Sequence, residues 1–270
     1  MLLTVGDSFT VKRYDGDYPW SYQLADKLKM KHLNIAQEGE SNSYIFRNTI
    51  WALTENPDIS IVVLSLTNWD RFELPYDDYG MNKSGIDERT KTFKPRDAHA
   101  EIRTNNVSKT YMMYYNSLFY VDQTASYLIA INQLCKSKNV ELIVTQPLLP
   151  FNVRIDAVVK GDLDFLLKKT MSPHGINYIK NFSLFQHVDK DIFCGFDPTP
   201  RMILFGEEKD NPNKPLFDNF TRNFPENCMG YHNKYLYKGG YESRKKWDGH
   251  PNIKGHKIIS ELIYENIQRK

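Results

Sequence analysis

The first seventy residues switch between two hydrophobic periods with almost no spare length, and that alternation restricts the fold more than any other feature of the chain. Leu2–Val5 is a short apolar run that stops at Gly6, the pattern of a buried parallel strand. Tyr18–Met30 carries Trp20, Leu24 and Leu28 at four-residue spacing, which predicts an amphipathic helix. Leu33–Ala36 reads as a second brief strand. Ser41 or Asn42 then stands where a cap belongs, before a helix whose inner face is Ile45, Phe46, Thr49, Ile50 and Leu53. Pro57-Asp58 closes that helix, and Ile59–Leu66 is the strongest strand signal in the chain. Strand, helix, strand, helix, strand with short connections builds βαβ units, hence an α/β fold around a parallel sheet.

The rest of the chain is less even. Residues 73–110 are rich in charge, Asn, Gly and Pro without a sustained period, as in a functional loop or an insertion. Tyr111–Lys138 predicts a helix with Leu118, Val121, Ala125, Leu128, Asn132 and Cys135 on its buried edge, and Val140–Thr145 follows as a strand. Ile176–Ile179 reads as one more strand. Residues 194–245 again lack a period and hold many aromatics, Phe196, Phe205, Tyr231 and Tyr241 among them; Ile253–Arg269 closes as a helix with Ile259, Leu262, Ile263 and Ile267 inward. A single domain over 1–270, with insertions at about 73–110 and 194–245, fits this better than two domains.

Composition narrows the function classes. Apolar residues make up 41% and charged residues 25%, enough for a packed core, which excludes disorder for most of the chain. Lys+Arg 35 against Asp+Glu 33 leaves no basic excess to hold nucleic acid. Apolar stretches such as Ile61–Leu64 and Leu128–Ile131 are too short to span a bilayer, and the N-terminus lacks the form of a signal peptide. Three widely spaced cysteines (Cys135, Cys194, Cys228) suit free thiols in a reducing compartment. The expectation is a cytoplasmic protein.

Four short segments hold the residues suited to chemistry. Gly6-Asp7-Ser8 ends the first strand, and in an open parallel sheet ligands sit beyond the carboxyl ends of the strands. A plain turn is its ordinary reading. Gly39 precedes a helix after the second strand, where a backbone N–H with no Cβ in the way can face an oxyanion; it also reads as a helix-entry glycine. Asn68, after the third strand, either donates its amide into the same cleft or serves a turn. Trp247-Asp248-Gly249-His250-Pro251-Asn252 stands before the last helix. There His250 is suited to take and return a proton near neutral pH, with Asp248 two residues away as a candidate partner for its ring.

Taken together, these segments resemble the blocks of the SGNH (GDSL-like) hydrolases. Gly6-Asp7-Ser8 matches the nucleophile block, Asn34 through Gly39 the first oxyanion block, Thr67-Asn68 the second, and Asp248 with His250-Pro251-Asn252 the closing block. Two blocks depart from the pattern: Leu66 and Trp69 stand where the second oxyanion block usually has Gly and Asp, so only Asn68 carries over there, and Trp247 stands where the acid usually lies, three residues before the His. The resemblance implies a three-layer α/β/α fold with a central, mostly parallel, flavodoxin-like sheet and loop insertions. It also implies acyl transfer by a dyad or triad of Ser8 and His250, with Asp248 or a backbone carbonyl near Lys246 orienting the ring. The oxyanion hole would be the Ser8 and Gly39 N–H groups and the Asn68 amide.

No cofactor is implied. For a metal, Asp248, His250 and His256, or Cys228 with His232, do not assemble a four-ligand set of usual spacing. Gly6-Asp7-Ser8 also lacks the glycines and Lys of a phosphate loop. The rival to an esterase is a catalytically inactive glycan- or partner-binding protein on the same scaffold. Aromatics among Asn, Asp and Arg in 194–245 suit stacking on sugars, so the expected substrate is a small-molecule or glycan ester, with O-acyl (acetyl) carbohydrate foremost; their other reading is the packed core of an insertion. Arg71 and Arg201 are assigned no role.

Overall fold

The computed structural model describes residues 1–12, 18–69, 71–75, 90–93, 116–147, 173–205 and 250–270. Five strands form one sheet in the order β2-β1-β3-β6-β7: β1 Leu2–Val5, β2 His32–Asn34, β3 Ile61–Ser65, β6 Glu141–Thr145 and β7 Phe193–Cys194. All four pairings are parallel. Helices α1 (Trp20–Leu28), α2 (Asn42–Glu55), α3 (Ser117–Ser137), α4 (Pro173–Asn181), α5 (Pro200–Phe205) and α6 (Ile253–Arg269) complete the described framework. A two-stranded antiparallel ribbon, β4 Phe72–Pro75 with β5 Thr90–Phe93, stands apart from the sheet.

The inner strands β1, β3 and β6 carry apolar residues on both faces because each face meets a separate layer of helices. Leu3, Val5, Val62, Leu64, Leu142 and Val144 join a core with Ile45 and Leu53 of α2 and Val121, Ala125 and Leu128 of α3. Their alternates Leu2, Val63, Ile143 and Cys194 face Trp20 and Leu24 of α1 and Ile259 and Ile263 of α6. Period-two alternation in the strands and period-3.6 stripes in the helices therefore meet as three layers, α/β/α. The strand order is the flavodoxin-like one, in which the chain starts inside the sheet, pairs β2 on one side and returns across β1 to β3. That reversal leaves a crevice beyond the carboxyl ends of β1 and β3.

Several boundaries differ from the sequence reading. β2 ends at Asn34 because that side chain turns inward: its Oδ1 accepts from Ala36 N and its Nδ2 donates to Thr10 O. The Tyr111–Lys138 helix begins at Ser117, where the Asn116 side chain accepts from the Leu118 N–H as an N-cap. Ile176–Ile179 is helix and not strand. Gly175 and Ile179 are buried four residues apart, while His174, Asn177 and Lys180 lie exposed, the 3.6-residue period of α4. Within 73–110 the ribbon supplies regular structure that composition did not signal.

Residues 194–205 are part of the framework. Cys194 closes the sheet as the second residue of β7, Phe196 is buried, and Met202, Ile203 and Leu204 are fully enclosed. Phe196 is thus a core residue and not a loop aromatic. Phe205 ends α5; the 194–245 aromatics beyond it, and 76–89 and 94–110, lie outside the described residues.

One strand residue makes stability depend on pH. His32 Nε2 shares a hydrogen bond of 2.8 Å with the buried Thr4 Oγ1, and Tyr22 meets the ring edge-on at 4.8 Å. Burial lowers its pKa from 6.5 to about 4, against a smaller opposing pull from Asp26. The unfolded chain therefore binds a proton near pH 6.5 that the folded protein refuses until about pH 4. More protons on the unfolded side mean that this contribution is present above the upper value and is lost as pH falls through the window. Urea unfolding at pH 7 and pH 4.5 is expected to show a larger fall in midpoint for the parent than for His32→Gln; equal falls would show that His32 is not the group responsible.

Candidate active site

The turn after β1 begins where only glycine fits. A Cβ on Gly6 would lie 2.4 Å from Thr10 Oγ1 and 2.8 Å from Ser65 Cβ, so the chain leaving β1 passes hard against the end of β3. The turn then closes on Asp7, whose carbonyl accepts from Thr10 N (2.9 Å) and whose Oδ1 accepts from Phe9 N (3.1 Å). Asp7 is 0% and Phe9 5% exposed, and Ser8 between them is half-buried. With both neighbours anchored inward, the serine is the residue turned outward.

His250 meets it there. Ser8 Oγ and His250 Nε2 are 2.7 Å apart although 242 residues separate them in sequence. The imidazole stacks on Phe9, with ring centroids 4.5 Å apart and planes 28° from parallel. It arrives just before α6, whose first turn is fixed by the Asn252 side chain accepting from Gly255 N at 3.0 Å. The helix that covers α1 therefore delivers the histidine to the end of β1. For Oγ to donate, Nε2 must be the bare nitrogen and Nδ1 the protonated one. Asp248 and Lys246, the sequence candidates for orienting that second nitrogen, lie outside the described residues.

The loops after β2 and β3 close on the same turn. Gln37 N donates to Gly6 O at 3.1 Å, and two residues later Gly39 adopts φ 81°, the left-handed region where a side chain is disfavoured. After β3, Thr67 is buried, Asn68 half-buried and Trp69 buried, the same in-out-in pattern as Asp7-Ser8-Phe9. Thr67 N donates to Asn42 Oδ1 (3.0 Å), and Thr67 O accepts from Gln146 Nε2 (3.3 Å). Thr67 Oγ1 donates to Asp7 Oδ2 (2.8 Å). Trp69 Nε1 donates to Gln146 Oε1 (2.9 Å), and its ring stacks with Phe185 at 5.7 Å. Tryptophan at position 69 thus has its own buried partner. Gly39 and Asn68 are both half-buried at this edge of the sheet.

Sequence reasoning did not find the supports. Asp7, Asn42, Thr67, Arg71 and Gln146 form a buried polar network beneath Ser8 and Asn68, and none carries a supporting role in the sequence reading; Asn42 reads there as a cap candidate, and the cap is Ser41. Asp7 is tied to Arg71 by an ion pair of 3.0 Å. The one available signal was electrostatic: a carboxylate at a strand end facing the core demands a cation, and Arg71 is the basic residue that follows the third strand most closely.

The other candidates fall elsewhere. His256 is buried within α6, and Cys228 and His232 lie outside the described residues. Among the described residues no three His, Cys, Asp or Glu side chains gather as a metal set would. Cys135 and Cys194 are buried free thiols whose pKa burial pushes up to about 11, the opposite of what a nucleophilic thiolate requires. No described helix is long and apolar enough to cross a membrane.

No family model and no curated protein matches this sequence. Among solved structures, the fold is similar to a member of the lipolytic protein G-D-S-L family from Veillonella parvula, with 13% identity, 100% of this chain and 98% of that chain covered, and a TM-score of 0.40. It is similar also to the psychrotrophic esterase EstA from Pseudoalteromonas sp., with 14% identity, coverage of 99% and 96%, and a TM-score of 0.40. A third is the acetyl xylan esterase AlAXEase, with 14% identity, coverage of 99% and 100%, and a TM-score of 0.40. In all three the likeness runs along nearly the whole of both chains.

Proposed function

We propose that the protein is a serine ester hydrolase of the SGNH type. The observation that carries this reading is the 2.7 Å contact between Ser8 Oγ and His250 Nε2 beyond the carboxyl ends of β1 and β3. A hydroxyl and an imidazole at that distance form a nucleophile and its base. Ser8 Oγ attacks the ester carbonyl carbon and its proton passes to His250 Nε2. The carbonyl oxygen becomes an oxyanion, held by the Ser8 and Gly39 N–H groups and the Asn68 amide. Collapse breaks the acyl–oxygen bond, and the departing alkoxide takes the proton from His250. Water then attacks the acyl-serine with His250 again as base, releasing the acid and restoring Ser8. The sequence offers two groups to orient the ring, the Asp248 carboxylate or a backbone carbonyl near Lys246, so the unit is a dyad or a triad. The substrate class proposed is a short O-acyl ester, with acetylated carbohydrate first.

A fluorophosphonate probe tests the nucleophile directly. Wild-type protein is expected to label, and Ser8→Ala to lose labelling and ester turnover together. Labelling that persists in Ser8→Ala would move the nucleophile elsewhere, and a wild type that neither labels nor turns over esters would favour a binding protein. A series of p-nitrophenyl esters of increasing chain length, run beside acetylated glycans, tests the substrate class; strong preference for long chains refutes the sugar-ester assignment.

A further inference from the structure

Arg71 is 9% exposed, so little of its charge is met by solvent. Its Nη1 donates both to Asp7 Oδ2 (3.0 Å) and to the main-chain oxygen of Glu40 (2.9 Å). Its own N–H donates to Asn68 O (3.3 Å). These three partners sit beside the three proposed oxyanion donors: Asp7 precedes Ser8, Glu40 follows Gly39, and Asn68 is itself the third. Among the described residues Nε has no hydrogen-bond partner, so the side chain's hydrogen bonds are both spent through one nitrogen on joining two loops.

The sheet alone does not set how those loops meet. Parallel pairing fixes β1, β2 and β3 as far as Asn34 and Ser65, but the donors lie on turns beyond the ladders. Donors aimed at a developing oxyanion are effective only within a narrow distance of it, about 2.7–3.1 Å. Besides the Gln37–Gly6 and Thr67–Asp7 hydrogen bonds, some element must hold the three turns in common register. A guanidinium with a buried carboxylate as counter-charge is suited to that, because neither partner can leave without stranding the other.

We infer that Arg71 is a positioning residue for the oxyanion hole, clamping the nucleophile turn to the Gly39–Glu40 loop and the Asn68 turn. The inference rests on the acyl-transfer reading above. Arg71 contacts its partners equally in ground and transition states, so its effect reaches the reaction only through the donors it aligns. Its removal is therefore read in kcat and not in KM.

Because Arg71→Met alone strands the Asp7 carboxylate, the test uses Asp7→Asn/Arg71→Met, which removes both charges, beside Arg71→Lys. With p-nitrophenyl acetate, kcat of the double variant is expected to fall about 100-fold with KM changed less than about threefold, while its urea midpoint stays near that of the parent. Arg71→Lys is expected to recover part of the loss. Placed in an Asn68→Ala background, the same two changes are expected to lower kcat far less, since the hole is already open. A double variant with kcat close to the parent, or a full and additive loss on top of Asn68→Ala, would overturn the inference. Ser8→Ala run alongside separates the two levels: turnover that survives it overturns the acyl-transfer reading and this inference together. Turnover lost in Ser8→Ala but kept in the Arg71 variants overturns the inference alone.

Discussion

His250→Ala is expected to lower kcat for ester hydrolysis by roughly 10⁵-fold, and adding Ser8→Ala to it is expected to lower the rate hardly further. The reason is mutual dependence. On the acyl-transfer reading, the imidazole 2.7 Å away takes the proton of the hydroxyl, which is a weak nucleophile without it. Removing either partner should therefore leave the same residual rate, owed to the oxyanion donors and to binding. Two single variants whose losses multiply in the double would show that the residues act separately and that the pair is not the catalytic unit. His250→Ala also exposes the face of Phe9 against which the ring stacks, so urea midpoints should accompany the rates. The structural effect is expected to be small, about 1 kcal/mol, and cannot account for five decades.

The largest expected effect on stability lies one residue before the serine. Asp7→Ala should destabilise the protein by about 3–5 kcal/mol, because it leaves the Arg71 guanidinium buried without its counter-charge. It also removes the acceptor of Thr67 Oγ1 and of Phe9 N. Against a typical total of about 5–15 kcal/mol this is a large share. Asp7→Asn/Arg71→Met should lie within about 1–2 kcal/mol of the parent, since replacing both members of a buried pair is far milder than removing one. Urea unfolding of the three proteins measures the contrast. If Asp7→Ala and the double variant are equally unstable, the charge pair is not what holds the turn.

What could be read from the sequence follows from how local each signal is. α6 announces itself because its apolar spacing repeats over enough residues to show the 3.6 period, and β1 and β3 because short continuous apolar runs are bounded by turn residues. β7 does not, being two residues long and recognisable only by its pairing with Val144 and Thr145. Ile176–Ile179 misleads because four residues with a β-branched residue at each end are too short to show a period, and the burial of Gly175 with Ile179 decides for helix. Ser8, Gly39, Asn68 and His250 stand at strand and helix ends, and short motifs reveal such ends. The network beneath them is made of ordinary residue types from four segments, and only folding shows that Asp7, Asn42, Thr67, Arg71 and Gln146 are neighbours.

The repeated in-out-in anchoring at Asp7-Ser8-Phe9 and at Thr67-Asn68-Trp69 has an energetic corollary. The backbone freedom at the serine and at the asparagine is surrendered during folding, when burial of their neighbours compensates for it, and not at the moment of encounter. An incoming ester would find those groups already frozen in place, so that little of its binding free energy is diverted into ordering them and more remains for the barrier.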